Sequence, residues 1–316
     1  IGADGGAAGG DDFDDGVVGF VEAVVSVGAF DPDLQFLSCG AAGFGLFSLA
    51  DATIKFLGGS YNPVQIMAFA GLFTLPLIGL LWLKAPVTVR PVHPWLMAIR
   101  TLALIGNGLL VTYAFTAMPL AEAYAIFFTL PLILTLMAWP VLGDRVDLTG
   151  GAAVLIGLIG VIVALNPGRV AFDLAHLAAV GGVVLAAVHY LIVRKVGGAE
   201  SSVPMLLYPV LGQTAAAFLL LPGRYVPMPV HDLATLGILS LGGFGGTLLM
   251  FAAYRAAPPV VVAPTQYSQI AWAALFGALF FAEPMTLATA IGMVIIAAAG
   301  LLVVLRQDRA RPTAAE

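Results

Sequence analysis

The sequence has 316 residues, of which 60% are hydrophobic and only 10% are charged, and its mean hydropathy is +1.02. A water-soluble domain carries charge on roughly a quarter of its residues, so this composition excludes one. The net charge of -5 is unevenly distributed, because residues 1–35 hold eight acidic and no basic side chains and the rest of the chain is net positive. We therefore expect no nucleic-acid partner.

The first 35 residues are predicted to be an acidic, disordered tail. Their apolar stretch, 16–30, is too short for a spanning helix, contains Glu22 and follows no basic segment, so it does not indicate a signal peptide. Beyond the tail, the single cysteine of the chain, Cys39, excludes an intramolecular disulfide and a cysteine-based metal site. We expect neither a metal nor a cofactor.

Ten apolar segments of about 20 residues follow, each long enough to cross a hydrocarbon layer about 30 Å thick as a helix. Strands of a membrane barrel are half as long and alternate in polarity, so the segments predict an all-α integral membrane protein with ten transmembrane helices. Short links rich in Gly and Pro make consecutive helices antiparallel. The predicted spans are residues 36–57, 63–84, 96–117, 121–142, 148–167, 174–195, 202–222, 232–254, 260–281 and 287–305.

Lysine and arginine accumulate in alternate links. With the N-terminus in the cytoplasm, nine of them lie in the inner links and tail, and only Arg169 and Arg224 lie in the outer links. This excess predicts both termini inside, with residues 307–316 as a cytoplasmic tail.

The chain repeats itself at an offset of 139 residues. Residues 54–59 align with 193–198, and the same register continues over most of each half. Each half, 36–170 and 171–306, holds five predicted helices. An odd number makes the second half enter the membrane from the opposite side, and such inverted repeats place a substrate site near the middle of the bilayer in transporters.

The most specific motif lies between residues 100 and 145. It comprises Tyr113 and Ala114, the run MPLAEAYAIFF at 118–128, Pro131, and LGDR at 142–145. Together with the five-plus-five layout, this region resembles the EamA-type transporters of the drug/metabolite transporter superfamily, and the resemblance covers residues 36–306. Asp144 stands where the family more often has glutamate.

The resemblance implies a secondary carrier of small metabolites in a bacterial inner membrane, commonly an exporter of amino acids or related compounds. It does not imply one substrate, since relatives carry amino acids, nucleoside-like compounds, vitamins and drugs. It also leaves open whether transport is linked to protons or facilitated, and whether the chain forms a homodimer.

Charged residues within the spans are candidate functional groups, because each costs about 2.5–3.5 kcal/mol at the centre of a bilayer. Asp51 and Lys55 lie one turn apart on the first helix, so they can neutralise one another. Alternatively, Asp51 is a proton-coupling carboxylate and Lys55 extends to the interface. Arg100 either extends to lipid headgroups or faces the inner mouth of a cavity, where it would meet a carboxylate or phosphate.

Two further titratable residues have the same two kinds of interpretation. Glu122 follows the Pro119 turn, where it either caps the fourth helix or acts as a gate or protonation site. His189 is the only histidine deep within a predicted span. It is either a hydrogen-bonded core residue or a group that titrates near neutral pH. We therefore name Asp51, Arg100, Glu122 and His189 as candidates for gating or proton coupling.

The ninth span is the most polar one. Thr265, Gln269 and Trp272 share a helical stripe, with Gln266 beside it, and lipid-facing glutamine is costly. We expect the stripe to face the interior, either a cavity or another helix. At the offset of 139, its amides oppose aromatic residues of the fourth span, which suits an amphipathic solute such as an amino acid. The predicted cavity residues are Asn107, Tyr113, Tyr124, Phe127, Phe128, Gln266, Tyr267, Gln269 and Trp272.

The sequence thus predicts alternating access by two five-helix halves. Helices one, three, four, six, eight and nine would line the cavity, and the partners would be the bilayer, a small-molecule substrate and, in one alternative, protons. An intramembrane enzyme is disfavoured because the sequence has neither a GxSxG nor an HExxH motif. A non-transporting subunit that docks on a larger complex and a vitamin- or nucleoside-type importer remain as alternatives.

Overall fold

In the computed structural model, helices are the only regular structure of the described residues, and these contain no strand. Residues 1–34 of the predicted acidic tail lie outside the described residues. Most of the LGDR motif and the end of the predicted cytoplasmic tail also lie outside them. The described residues are 35–82, 90–142, 148–165, 173–196, 202–256 and 263–309.

Eleven α-helices and one 3₁₀ helix make up the described fold. Proline at the first position of α2 and of α3 fits its missing N–H, since that group has no partner inside a helix. The helices are α1 (Gln35–Gly58), α2 (Pro63–Trp82), α3 (Pro94–Ala117), α4 (Leu120–Phe127), α5 (Leu130–Leu142), α6 (Leu148–Leu165), α7 (Leu174–Val196), α8 (Ser202–Leu220), α9 (Val230–Ala256), a 3₁₀ helix (Ala263–Tyr267), α10 (Ser268–Phe281) and α11 (Leu287–Arg309).

The fourth and ninth predicted spans are not single helices, and here the prediction is corrected. The fourth is divided into α4 and α5 after Phe127, and the ninth changes from 3₁₀ to α-helix after Tyr267. Pro131 explains the first interruption, because its ring removes one N–H and clashes with the carbonyl four residues earlier, that of Phe127. The offset of 139 places Phe128 on Tyr267, so the two interruptions fall at equivalent positions.

The surface of the bundle is apolar. Leu155, Ile159 and Val294, on α6 and α11, are each more than half exposed, as expected for helices surrounded by lipid. By length and composition, four helices qualify as membrane spans, within Pro63–Leu80, Pro94–Ala117, Leu174–Val196 and Val230–Met250. Ten spans in two repeats remain a prediction.

The most extensive contacts join helices from different halves of the chain, namely α1 with α9, α3 with α7, α2 with α8 and α6 with α11. The α6–α11 pair depends on glycine. A Cβ atom on Gly292 would lie 2.5 Å from the carbonyl oxygen of Gly160, so only glycine permits this approach of the two backbones.

Candidate functional site

A cavity of about 350 Å³ lies between α1, α2, α3, α8 and α9. Its volume falls within the range of about 300–1,000 Å³ found for small-molecule sites. The lining is mostly apolar, and no residue among the described lining positions is charged. Its polar side chains are Thr74, Thr112, Gln213, Ser240 and Thr247.

Three of these hydroxyl groups already donate hydrogen bonds to backbone carbonyls. Thr74 and Ser240 both donate to the carbonyl of Ala70, over 2.8 and 2.9 Å, and Thr247 donates to that of Gly243 over 2.9 Å. The bond from Ser240 also joins α9 to α2. These groups therefore offer a solute only acceptor lone pairs.

The α1–α2 turn and the link between α8 and α9 meet at the end of the bundle where α1 ends. The Gln65 side chain is fully buried, donates to the carbonyl of Val226 over 2.6 Å and accepts from the N–H of the same residue over 2.9 Å. Asn62 donates to the carbonyl of Arg224 over 2.8 Å. The α1–α2 turn thus holds the link between α8 and α9 in place.

A hydrogen bond between side chains adds to these contacts. The Tyr61 hydroxyl donates to the Asp232 carboxylate at the start of α9, and this bond raises the pKa of Tyr61 to about 12. The tyrosine therefore stays protonated, and remains a donor, throughout the physiological pH range. We call these three residues and their partners, Tyr61, Asn62 and Gln65 with Arg224, Val226 and Asp232, the latch.

Lys55 connects three elements at the same end of the bundle. Its ammonium group lies 2.9 Å from a carboxylate oxygen of Glu283, after α10, and donates to the carbonyl of Met118, after α3, over 2.7 Å. It also lies 5.2 Å from the centroid of the Phe281 ring. The sequence-based ion pair of Asp51 with Lys55 is therefore wrong, because partners from other elements reach this lysine.

Asp51 instead faces α4. Its carboxylate accepts a hydrogen bond of 2.5 Å from the hydroxyl of Tyr124, which also lies 3.3 Å from the hydroxyl of Ser48. The predicted gating residue Asp51 and the predicted cavity residue Tyr124 thus meet in one polar contact between α1 and α4.

Glu122 lies on the first turn of α4 and faces a histidine at the start of α7. The Nε2 atom of His176 is 3.9 Å from the Glu122 carboxylate, and its Nδ1 atom is 2.8 Å from Asp173. Asp173 also caps α7 by accepting from the N–H of Ala175 over 2.9 Å. The hydrogen bond with His176 lowers the pKa of Asp173. We call the group Lys55, Glu122, Asp173, His176 and Glu283 the charged end.

The predicted aromatic wall is packed rather than open. The Phe115 ring meets those of Tyr124 and Phe127 edge to face, with centroids 5.6 and 5.1 Å apart, and the Phe128 ring lies 5.7 Å from that of Tyr267. Such contacts stabilise aromatic clusters. These rings fill the space between α4 and the 3₁₀ helix and lie outside the 350 Å³ cavity.

The polar stripe of the ninth span packs on α1. Thr265 and Trp272 lie against the glycines Gly40 and Gly45, and the indole N–H of Trp272 donates to the carbonyl of Ala41 over 3.3 Å. Gln269 is 8% exposed and Gln266 is half-buried. The structure thus places a neighbouring helix against this stripe, and its contact with a solute remains a prediction.

Two of the remaining predicted residues, Arg100 and Asn107, tie α3 to its neighbours. Arg100 is buried and donates to the carbonyl of Met205 on α8 over 2.6 Å, while Asn107 donates to that of Gly182 on α7 over 2.9 Å. Tyr113 and His189 are half-buried, and the Nδ1 atom of His189 is buried without a hydrogen-bond partner in the described part of the chain.

Sequence reasoning missed several polar residues that the structure places at these sites. Gln213 is the only glutamine of α8, and the cost of an amide in lipid, applied to the ninth span, would have found it. Thr112, His176 and Glu283 gave no such signal. Threonine is common in membrane helices, and the other two lie at predicted helix ends, where polar residues are expected.

Known transporters resemble this chain over most of its length. The family model of the EamA-like transporter family matches residues 173–305. The S-adenosylmethionine uptake transporter of Rickettsia felis is 25% identical over 83% of this chain and 90% of that protein. The riboflavin transporter of Rhizobium johnstonii is 29% identical over 76% and 79%, and solute carrier family 35 member G1 of Mus musculus is 26% identical over 75% and 69%.

A solved crystal structure has the same fold. It matches with a TM-score of 0.60 at 21% sequence identity, over 86% of this chain and 98% of that chain.

Proposed function

Since this chain is an EamA-type transporter of the drug/metabolite transporter superfamily, we propose that it binds its solute in the cavity between α1, α2, α3, α8 and α9. It is a multi-pass membrane protein and a transporter rather than an enzyme. The solute would be carried by alternating access of two five-helix halves around this cavity.

The helix contacts support two inverted halves. An offset of 139 residues places the first predicted span, α1, on the sixth, α7, and the third, α3, on the eighth, α9. The contact between α1 and α9 in one half-to-half pairing therefore corresponds to the contact between α7 and α3. Both pairs are among the most extensive in the fold. The interruptions at Phe128 and Tyr267 also correspond, as expected for broken helices in repeat-built transporters.

The absence of charge among the described lining residues is the observation that supports the proposed solute class. A charged solute would lose water there without gaining an opposite charge, which costs several kcal/mol. An uncharged, amphipathic metabolite loses much less and can place its apolar part against Phe244, which also lines the cavity. We therefore propose an uncharged solute of the size of a vitamin, for which riboflavin, named for one relative, is the first probe.

This proposal narrows what the sequence predicted. An amino acid carries two opposite charges, and S-adenosylmethionine, named for another relative, carries a sulfonium cation. Neither charge would find a partner among the described lining residues. The exporter predicted from the sequence and the importer alternative differ only in the direction of net flux, which the same assay measures.

We assign gating to the latch and the charged end. Both lie where α1 ends, which the predicted orientation places outside, and we propose that their contacts keep this end of the bundle shut. The link from Lys55 to Glu283 and Met118 has to open when the solute crosses this end, and the carboxylates of Asp51 and Glu122 are the proposed proton-coupling groups.

The test is uptake into proteoliposomes that contain the purified protein. Radiolabelled riboflavin, S-adenosylmethionine and leucine represent a neutral, a cationic and a zwitterionic solute. We expect riboflavin to be transported at least about tenfold faster than the other two. Faster transport of a charged solute would contradict the proposed class.

Two glycines of α9 provide a matched pair for the location of the site. A Cβ atom on either Gly243 or Gly237 would meet nothing within 4 Å, but only Gly243 lines the cavity. Gly243→Phe should fill the cavity and abolish uptake, whereas Gly237→Phe should retain it. Equal uptake by the two variants would place the solute elsewhere.

A further inference from the structure

Two polar atoms of the cavity lining have no partner within the described chain. The hydroxyl of Thr112 makes no hydrogen bond there, and neither does the side-chain oxygen of Gln213, whereas the other three polar side chains of the lining donate to carbonyls. Among the described residues, the side-chain atoms that are both buried and without a hydrogen-bond partner belong to residues other than Thr112 and Gln213. Both atoms are therefore accessible from the cavity.

The amide of Gln213 is held in one orientation. Its Nε2 atom donates to the carbonyl of Leu104 over 2.6 Å, and only the nitrogen of an amide can donate. The oxygen Oε1 is therefore left as an acceptor at a fixed position. The amide lies over Gly108, where a Cβ atom would be 3.3 Å from Nε2, so the missing side chain leaves room for it.

Thr112 follows Gly108 by four residues on the same face of α3. At 1.5 Å per residue the hydroxyl lies about 6 Å further along the helix. It has a hydrogen to donate as well as lone pairs to accept. The cavity thus presents a fixed acceptor and, about one turn away, an adaptable hydroxyl, within a lining that is otherwise apolar or already hydrogen-bonded.

We propose that Gln213 Oε1 and Thr112 Oγ1 recognise a ring edge in which an N–H donor stands beside a carbonyl acceptor, as in an imide or lactam. Gln213 accepts from the ring N–H, and Thr112 donates to the adjacent carbonyl. This inference rests on the proposed function and adds a specificity determinant to it. A solute without the donor leaves the acceptor of Gln213 unpaired, which is how binding sites reject such analogues.

Riboflavin and its N3-methyl derivative test the donor directly, because the methyl group removes the ring N–H and changes little else. Equilibrium binding to the purified wild-type protein should be at least about tenfold weaker for the methylated compound. Comparable affinities for the two compounds would overturn the proposal, and this comparison requires no mutation.

Variants separate the hydrogen bond from the bulk of the methyl group. Gln213→Met, of similar length but without the acceptor, should bind riboflavin about tenfold more weakly and discriminate between the two compounds by less than about twofold. If this variant retains the wild-type discrimination, the methyl group acts by bulk alone and the proposal is wrong.

A matched pair of threonines tests the hydroxyl. Thr112→Val should weaken riboflavin binding about fivefold. Thr214→Val is the control, because this neighbour of Gln213 does not line the cavity and its hydroxyl donates to the carbonyl of Val210 over 2.7 Å. Equal effects of the two variants would remove Thr112 from the proposal.

Failure of this inference differs from failure of the proposed function. If riboflavin and uridine, two solutes with an imide edge, do not bind while another neutral solute is transported, the edge is wrong and the carrier function stands. If no solute of any class is transported by folded protein, both are wrong.

Discussion

The central cavity and the charged end lie on two faces of the same helix, and they treat charge in opposite ways. On α1, Ala50 and Ile54 line the cavity, while the next residues, Asp51 and Lys55, face α4 and Glu283. Neighbours on a helix point about 100° apart. One helix therefore separates a cavity whose described lining residues carry no charge from a network of ionisable side chains, so we expect recognition and closure to change independently.

Removing one member of the charged network should have the largest effect. Lys55→Met leaves the Glu283 carboxylate and the Met118 carbonyl without their partner, and we expect the free energy of unfolding to fall by about 3 kcal/mol. Thermal melting in detergent measures this loss. The ratio of affinities for riboflavin and its N3-methyl derivative should stay that of the wild type, since the cavity is untouched.

The double variant Lys55→Met/Glu283→Gln is the control for this prediction. It removes both charges, so it should recover most of the lost stability. A double variant as unstable as the single one would show that the two residues do not stabilise one another.

Breaking the latch should cause the second-largest loss of stability. Gln65→Met removes two hydrogen bonds from a fully buried site and leaves both backbone groups of Val226 unpaired, which should cost about 2 kcal/mol. The same change should also let water-soluble reagents reach the cavity from the end of the bundle where the latch lies. Labelling of Ser240→Cys by a membrane-impermeant maleimide, in a Cys39→Ser background, should become faster, and an unchanged rate would contradict a closing role.

A charge placed in the cavity should change recognition more than stability. Gly243→Asp introduces a carboxylate where a side chain meets nothing within 4 Å, and we expect riboflavin to bind about tenfold more weakly than it does to Gly243→Asn. The two variants differ in charge and hardly in shape. Similar affinities of the two variants for riboflavin in equilibrium binding would show that the cavity tolerates a charge. The cavity and the charged end would then not differ in how they accommodate charge.

The smallest effect is expected at Asp173, on the exposed rim of the charged end. Its lowered pKa means that its contribution to stability is complete above the ordinary pKa of aspartate and is lost as the pH falls through the folded value. Asp173→Asn should therefore lower the melting temperature by about 2 °C between about pH 5 and 8. The difference should shrink as the pH falls below the ordinary pKa of aspartate, and a difference that grows in acid would contradict this assignment.

The helices could be predicted because apolar length is a local property. The predicted segments 36–57 and 174–195 correspond to Gln35–Gly58 and Leu174–Val196. The interruption of the fourth span was missed because the residues around it are apolar apart from Thr129, so the hydropathy averaged over the span shows no break there. Pro131 is the residue that indicates the interruption, yet a proline inside a membrane helix is as compatible with a kink as with a break.

The site was harder to predict because it depends on residues distant in the sequence. Asp51 and Lys55 have the spacing of an ion pair, but Tyr124 and Glu283 provide closer partners from other elements. Gln213 became a candidate only when its nitrogen was found on the carbonyl of Leu104, which leaves the oxygen free. Spacing along one helix contains neither fact.

The glycine contact between α6 and α11 has a consequence for biosynthesis. Gly160 and Gly292 lie about 130 residues apart in the sequence, and ribosomes add about 5–20 residues per second. The surface of α6 around Gly160 therefore stays without its partner helix in the membrane for on the order of ten seconds, until α11 has been synthesised. During that time lipid, or another helix of the nascent chain, has to occupy a surface that in the finished protein admits only a second glycine.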